Sequence, residues 1–250
     1  MMRGSEAILQ VFQEQGVDTV FGYPGGAVIP LYDALYDSPI RHILSVHEQG
    51  AVHAADGYAR ATGKTGVCIA TSGPGATNIV TGLATAYLDS VPLVVITGQV
   101  ATHMIGRDSF QEVDVVGVTM SVTKHNVLVT RAEELVPALR EAFEVARDGR
   151  PGPVLVDVPS DLQLQEAVWS EATPAAAPVL RAAQATEVAK AAEALKRAER
   201  PVILVGGGAL RANVGARLMQ LAERLGAPLV STLMGLGVVA GDHPQFLGLT

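Results

Sequence analysis

The chain has 250 residues, room for one full domain and much of a second. Hydrophobic residues make up 48% and charged ones only 17%, with 26 Gly and 14 Pro, which excludes extensive disorder and points to an aliphatic α/β core with many tight turns. The net charge of -7 argues against nucleic acid as a main partner, the single Cys68 excludes a disulfide framework or a multi-cysteine zinc site, and no apolar run approaches the ~18 residues of a membrane span.

At the N-terminus Glu6 falls in the first turn and no long apolar stretch follows, so no signal peptide is visible and a cytoplasmic location is expected. Ser5 to Gln15 reads as a helix with Ser5 as N-cap, Ile8 and Phe12 on one face, and Gly16 closing it. A strand follows at Thr19–Tyr23, then the turn at 24–26, then a helix through Tyr36. Further strands are expected at His42–Val46, Gly66–Thr71, Pro92–Thr97, Asn126–Val129 and Val154–Val158, with helices at Glu48–Thr62, Pro74–Tyr87 and Ala132–Arg147. Such alternation implies parallel strands joined by right-handed crossovers, a parallel sheet with helices on both faces. Cys68, inside the apolar run GVCIAT, reads as a buried, inert thiol.

The Ala- and Pro-rich stretch 164–184 breaks the rhythm and reads as a linker between a first domain, 1–163, and a second, 185–250. The second domain restarts as a Rossmann-like α/β pattern: a helix at Thr186–Arg197, a strand at 201–205, glycines 206–208, a helix to Leu225 and a strand at 228–232. It has too few strands to close a sheet and is expected to be incomplete.

Several motif matches fail on spacing. GYARATGKT (57–65) lacks the Gly six positions before its Lys that a phosphate loop needs, HEQGA (47–51) lacks the second His of a zincin, and ATSGP (70–74) has neither Gly of a nucleophile elbow. The six His residues show no metal-ligand spacing. Two glycine turns carry more. SGPGATN (72–78) lies between a strand and a helix, where free backbone N–H groups can meet a ligand, though a plain tight turn is the alternative. GGGALR (206–211) also follows a strand, but Arg211 replaces the third Gly of the dinucleotide fingerprint and no acid ends the next strand.

Glu48 falls between the strand HILSV and a helix, where ligands of open α/β sheets bind. An acid in a helix's first turn also stabilises the macrodipole, by about 0.3–1 kcal/mol. Position alone leaves the two readings level.

Taken together, FGYPGGAVIPLYDAL (21–35), HEQGAVHAADGYARATG (47–63), TSGPGATN (71–78), PLVVITGQV (92–100) and DSFQEVD (108–114) resemble the pyrimidine-binding domain of thiamine-diphosphate enzymes, in particular the acetolactate synthase (acetohydroxyacid synthase) large subunits. GRPGPVLVDVPSD (149–161) continues the likeness, and VGGGAL with STLMGLG (231–237) is similar to that family's FAD-binding middle domain. The resemblance implies that Glu48 hydrogen-bonds N1′ of the cofactor's aminopyrimidine and activates it for attack on pyruvate, with addition to a second 2-ketoacid such as pyruvate or 2-ketobutyrate. It implies that Tyr23, Pro24, Gly25, Gly26, Pro74 and Asn78 surround the pyrimidine, that Gln111 also contacts the cofactor, and that Phe110 and Gln111 reach the substrate channel from a partner subunit. It assigns FAD to Arg150, Gly206, Gly207, Gly208, Thr232, Leu233 and Met234, and Mg2+ to ligands outside this stretch, since GDH (241–243) has no Asn-Asn partner after it. A homodimer or tetramer, with a small regulatory subunit, is further implied. Two departures stand out: Ser160 where the family usually has Lys, and ATHMIG (101–106) where it often has Arg residues. The chain is therefore expected to be the N-terminal part of a longer enzyme. Competing readings are another thiamine-diphosphate enzyme, such as pyruvate oxidase or sulfoacetaldehyde acetyltransferase, and a non-catalytic nucleotide-binding protein.

Overall fold

The computed structural model describes residues 2–169, 171 and 183–250, which fall into two compact units dividing at 177/178. Most of the expected linker, residues 170 and 172–182, lies outside the described residues.

The first unit runs, in chain order, α1 (Gly4–Glu14), β1 (Thr19–Gly22), α2 (Ile29–Tyr36), β2 (Arg41–Leu44), α3 (Glu48–Thr62), β3 (Gly66–Ala70), α4 (Pro74–Asn78), α5 (Val80–Asp89), β4 (Leu93–Gln99), α6 (Val115–Thr119), β5 (His125–Leu128), α7 (Ala132–Arg147), β6 (Pro153–Pro159) and α8 (Ser160–Leu164). Its six strands form one parallel sheet in the order β2-β1-β3-β4-β6-β5. The parallel α/β architecture expected from the alternation is the one observed.

Side chains alternate across β4 and β6, so each strand feeds two cores. On one face Val94, Ile96, Val154 and Val156 pack with Ile8 and Phe12 of α1, Leu31 of α2, and Leu139 and Phe143 of α7. The Phe12 and Phe143 rings meet edge to face at 5.9 Å. On the other face Cys68, Leu93, Val95 and Leu155 pack with Ala51, Val52 and Ala55 of α3 and Leu83 and Ala86 of α5. Burial pushes the Cys68 thiol up to about 12, and the Glu48 charge adds to the shift, so this cysteine is an inert core residue.

Element ends differ from expectation where partners are distant in sequence. The N-cap of α1 is Arg3, whose N–H donates to Glu6 at 2.8 Å; Ser5 is buried inside the helix because the chain start pairs with residues 165–167. Gly4 N–H donates to the Gln165 carbonyl and Ala167 N–H to that of Met2, which ties this stretch to the first unit. Gly16 follows the helix at φ +75° and Gly63 closes α3 at φ +73°, both conformations that favour glycine. The helix expected over 74–87 is two, α4 and α5, broken at Ile79.

The second unit holds α9 (Ala185–Arg197), β7 (Ile203–Val205), α10 (Gly207–Arg211), α11 (Gly215–Leu225), β8 (Leu229–Ser231) and β9 (Phe246–Leu249). Its parallel sheet has the order β7-β8-β9. The helix expected to run to Leu225 is again two, α10 and α11. The strand β9 is not among the expected elements: FLGL is short and has an interior Gly, which the structure places at φ +112°. A small core of Val205, Ala222, Leu229 and Val239 holds the unit together. Among the described residues no helix is long and apolar enough to cross a membrane.

Candidate active site

In the first unit β1 is followed outward by β2, and the chain then returns to place β3 on the other side of β1. The carboxyl ends of β1 and β3 therefore flank the point where strand order reverses, where open α/β sheets form ligand crevices. Three connections meet there: residues 23–28 after β1, 45–47 after β2 and 71–73 after β3.

Glu48 is the first residue of α3 and is 8% exposed. Its position is fixed locally. His47 is the N-cap, its Nδ1 accepting the Gln49 N–H at 3.1 Å, while Ser45 Oγ donates to the His47 carbonyl at 2.7 Å. From the far side, Asn78 at the end of α4 donates its Nδ2 to Glu48 Oε2 at 2.9 Å. Oε1 accepts no hydrogen bond among the described residues and faces Gly75, where an added Cβ would lie 3.1 Å away. One carboxylate oxygen is thus tethered and the other is left for a donor, which fits the N1′ edge of an aminopyrimidine.

The glycine loops are shaped around Thr71. An added Cβ on Gly25 would come within 2.5 Å of Thr71 Cβ, and one on Gly75 within 2.7 Å of Thr71 Cγ2. Thr71 Oγ1 accepts the Ala27 N–H at 3.2 Å, joining the β1 and β3 loops. Tyr23 and Pro24 lead into this turn, with Tyr23 partly exposed. Tyr32 Oη is buried against Gly22 without a hydrogen-bond partner among the described residues; burial, the Cys68 thiol and the Glu48 charge all hold its ionisation above the usual phenol range.

Gln111 lies at the rim within the same chain: an added Cβ on Gly73 would sit 2.9 Å from Gln111 Cα. Gln111 adopts φ +58° and Gly73 also φ +58°. Phe110 beside it is 87% exposed. The loop carrying both is held by carboxylates. Glu112 accepts the backbone N–H groups of Gly106 and Ser109, bonds that hold its carboxyl below the usual range. At the loop's start, Asp161 accepts the Thr102 N–H at 3.0 Å and its hydroxyl at 2.6 Å. Asp161, the residue after Ser160, thus bonds the 101–106 stretch, so the two departures in sequence lie next to one contact.

Sequence reasoning missed Asp157. It stands in β6 at 1% exposure, accepting Thr97 Oγ1 at 2.7 Å and Gln99 Nε2 at 2.9 Å. Burial and the nearby Asp114 charge raise its pKa to about 7, against the pull of its two hydrogen bonds. A lone acid in the apolar run PVLVDVP was the available signal.

The residues expected at FAD divide between the units. In the second, Gly206 caps α10 and Gly207 begins it, at the carboxyl end of β7. An added Cβ on Gly207 would touch Met234 Cβ at 3.1 Å, and Thr232 N–H donates to the Val205 carbonyl at 2.9 Å. Gly206, Gly207, Thr232 and Met234 are thus brought together, with Leu233 exposed and open space around Gly208. Arg150 is in the first unit, before the amino end of β6 and so at the opposite end of the strands from Glu48. It donates to Ser90 Oγ at 2.6 Å and the Leu88 carbonyl at 2.9 Å, capping the end of α5.

Comparison with known proteins identifies the family. Residues 2–118 match the thiamine pyrophosphate enzyme N-terminal TPP binding domain, and residues 188–250 the thiamine pyrophosphate enzyme central domain. The chain is 51% identical to the acetolactate synthase isozyme 2 large subunit of Escherichia coli (strain K12) over 251 residues, which is 99% of this chain and 45% of that protein. It is 49% identical to a probable acetolactate synthase large subunit of Methanocaldococcus jannaschii, covering 99% of this chain and 43% of that one. With the acetolactate synthase large subunit of Corynebacterium glutamicum the identity is 50%, over 99% and 40% respectively. The chain spans less than half the length of these curated relatives. Two domains of one family in the family's order, with an acid set at the strand-end crevice, place the chain in the thiamine pyrophosphate (thiamine diphosphate) enzyme family, to which it belongs.

Proposed function

We propose that this chain is the N-terminal and central part of an acetolactate synthase large subunit, with residues 1–163 binding the pyrimidine of thiamine diphosphate and 185–250 contributing to an FAD-binding middle domain. The observation that carries the reading is Glu48: a buried carboxylate tethered on one oxygen by Asn78 and unengaged on the other. When bound, thiamine diphosphate supplies the carbanion chemistry that joins a decarboxylated pyruvate to a second 2-ketoacid, pyruvate or 2-ketobutyrate. The protein's part is to hold a proton at N1′ through Glu48 Oε1, while Asn78 keeps the carboxylate from swinging away. Such positioned proton transfer contributes about 10²–10⁴ in rate.

Tyr23, Pro24, Gly25, Gly26 and Pro74 would frame the ring, with Phe110 and Gln111 at the substrate side. Mg2+ would be held by residues beyond this stretch. Arg150, Gly206, Gly207, Gly208, Thr232, Leu233 and Met234 would contact FAD; the clustering of the second-unit members supports this, whereas the engagement of Arg150 with α5 does not add to it. A second copy of the chain suits the exposed apolar Tyr23, Val46 and Phe110 around the site, and the relatives' naming as large subunits supports a small partner subunit.

The test is a chimera in which this chain replaces the matching part of the Escherichia coli isozyme 2 large subunit. Acetolactate formed from pyruvate in the presence of thiamine diphosphate, Mg2+ and FAD supports the proposal. Acetate or acetyl phosphate as the product instead would overturn the synthase reading.

A further inference from the structure

The loop that carries Phe110 and Gln111 is joined to the centre of the sheet through the side chain of Gln99. Gln99 ends β4, 4% exposed, and its Oε1 accepts the Val100 N–H at 2.9 Å. That bond fixes which way the amide points. Both hydrogens of Nε2 are then directed inward, one to the Val113 carbonyl and one to Asp157 Oδ2, each at 2.9 Å. Thr97 completes the set by donating to Asp157 Oδ1. Burying a carboxylate here costs free energy that two neutral donors offset only in part. Apolar side chains on this face would pack onto the Val95 and Leu155 layer without that cost. The network is therefore a poor device for stability alone.

From this geometry we infer that Asp157, acting through Gln99, is a positioning residue that sets where the 106–113 loop stands, and with it Phe110 and Gln111 beside Gly73. Asp157 orients the Gln99 amide, the amide holds the Val113 carbonyl, and Val113 lies two residues from Gln111. Asp161 on Thr102 anchors the other end of the loop. The functional meaning of the inference rests on the Glu48 reading; the anchoring does not.

Amide hydrogen exchange on this chain, with no cofactor present, tests it. Gln99→Leu is expected to speed exchange of the hydrogen-bonded Gly106, Ser109 and Glu112 amides at least tenfold while the β3 and β4 amides keep their protection. Asp157→Ala should do the same. Asp157→Asn, which can still accept from Gln99 and donate to Thr97, should restore the native loop rates, a rescue that a merely space-filling role would not show. Trp169 fluorescence reports whether each variant keeps the first unit folded, and if Gln99→Leu does not, Gln99→Met is read in its place. Native loop rates in the Gln99 variant, or equal loss in Asp157→Asn and Asp157→Ala, would overturn the inference. Failure of the cofactor reading would show separately, as unchanged thiamine diphosphate binding in Glu48→Gln.

Discussion

The two units carry glycine-lined strand ends of the same kind, yet they are built on opposite principles. In the first, β3, β4 and β6 are buried along their whole length, and the site above them is held by side chains: Asn78 on Glu48, Thr71 on Ala27, Gln99 on Asp157. In the second, β7 and β9 are partly exposed, and the glycine edge is shaped by backbone contact between 206–207 and 232–235. A site held by side chains is sensitive to changes of chemistry, and one held by backbone approach is sensitive to added bulk. Substitutions that alter only one of these properties should separate the units.

The largest effect is expected from a change of chemistry without change of shape. Glu48→Gln keeps the volume and the Asn78 contact, but an amide cannot hold the N1′ proton as a carboxylate does. In the chimera kcat should fall by about 10²–10⁴, with the urea midpoint of Trp169 fluorescence unmoved in the same variant of this chain. Since Trp169 is the single tryptophan and packs on the first unit's core, its signal follows that unit alone. An unchanged kcat would remove Glu48 from the chemistry.

Asp157 gives the next effect and a sign that can be checked. Its pKa in the folded chain, about 7, lies above the ordinary 3.8. The folded state therefore holds a proton that the unfolded chain has lost, and this contribution is full below pH 3.8 and lost as pH rises through about 7. Asp157→Asn does not titrate there. It should match the native chain near pH 4 and exceed it by on the order of 2–4 kcal/mol at pH 8, read from the Trp169 transition in urea. Equal stability at both pH values would show that the acid is not buried as described.

How much of this was legible follows from the range of each contact. The strands announced themselves as apolar runs bounded by turns, and Glu48 by its place between a strand and a helix. Their extents did not, because β4 continues to Gln99 by pairing with β6, where Gln99 stands opposite Pro159, a partner remote in sequence. The Glu48–Asn78 contact likewise spans 30 residues; a resemblance named both members, but spacing alone could not join them. Glu112 escaped notice because its partners are backbone amides, which leave no mark in sequence.

Added bulk should then hurt the first unit where backbones approach. An extra Cβ on Gly66 would lie 2.3 Å from the Ala55 carbonyl oxygen and 2.7 Å from Leu93 Cδ2, both in the packed face between α3 and the sheet. The Ala55 carbonyl belongs to α3 and cannot retreat without moving that helix from the core. Gly66→Ala is expected to cost about 1–3 kcal/mol, again by the Trp169 transition, and native stability would show that α3 packs less closely than described.

The smallest effect separates stability from binding in the second unit. Gly208 is inside α10, outside the left-handed region, and an added Cβ there meets nothing within 4 Å. Gly208→Ala should therefore stabilise by about 0.4–1 kcal/mol, because alanine loses less backbone freedom on folding. The gain belongs to the second unit, which has no tryptophan, so it is read as slower amide exchange in α10 and α11 with β3 and β4 unchanged. If the open space above Gly208 is where a flavin nucleotide approaches the backbone, the same methyl group should weaken FAD retention in the chimera while the helix becomes firmer. Opposite changes in exchange and flavin content would assign the space to a ligand. A firmer helix with unchanged flavin content would make Gly208 an ordinary solvent-facing glycine and confine the cofactor edge to Gly206, Gly207, Thr232 and Met234.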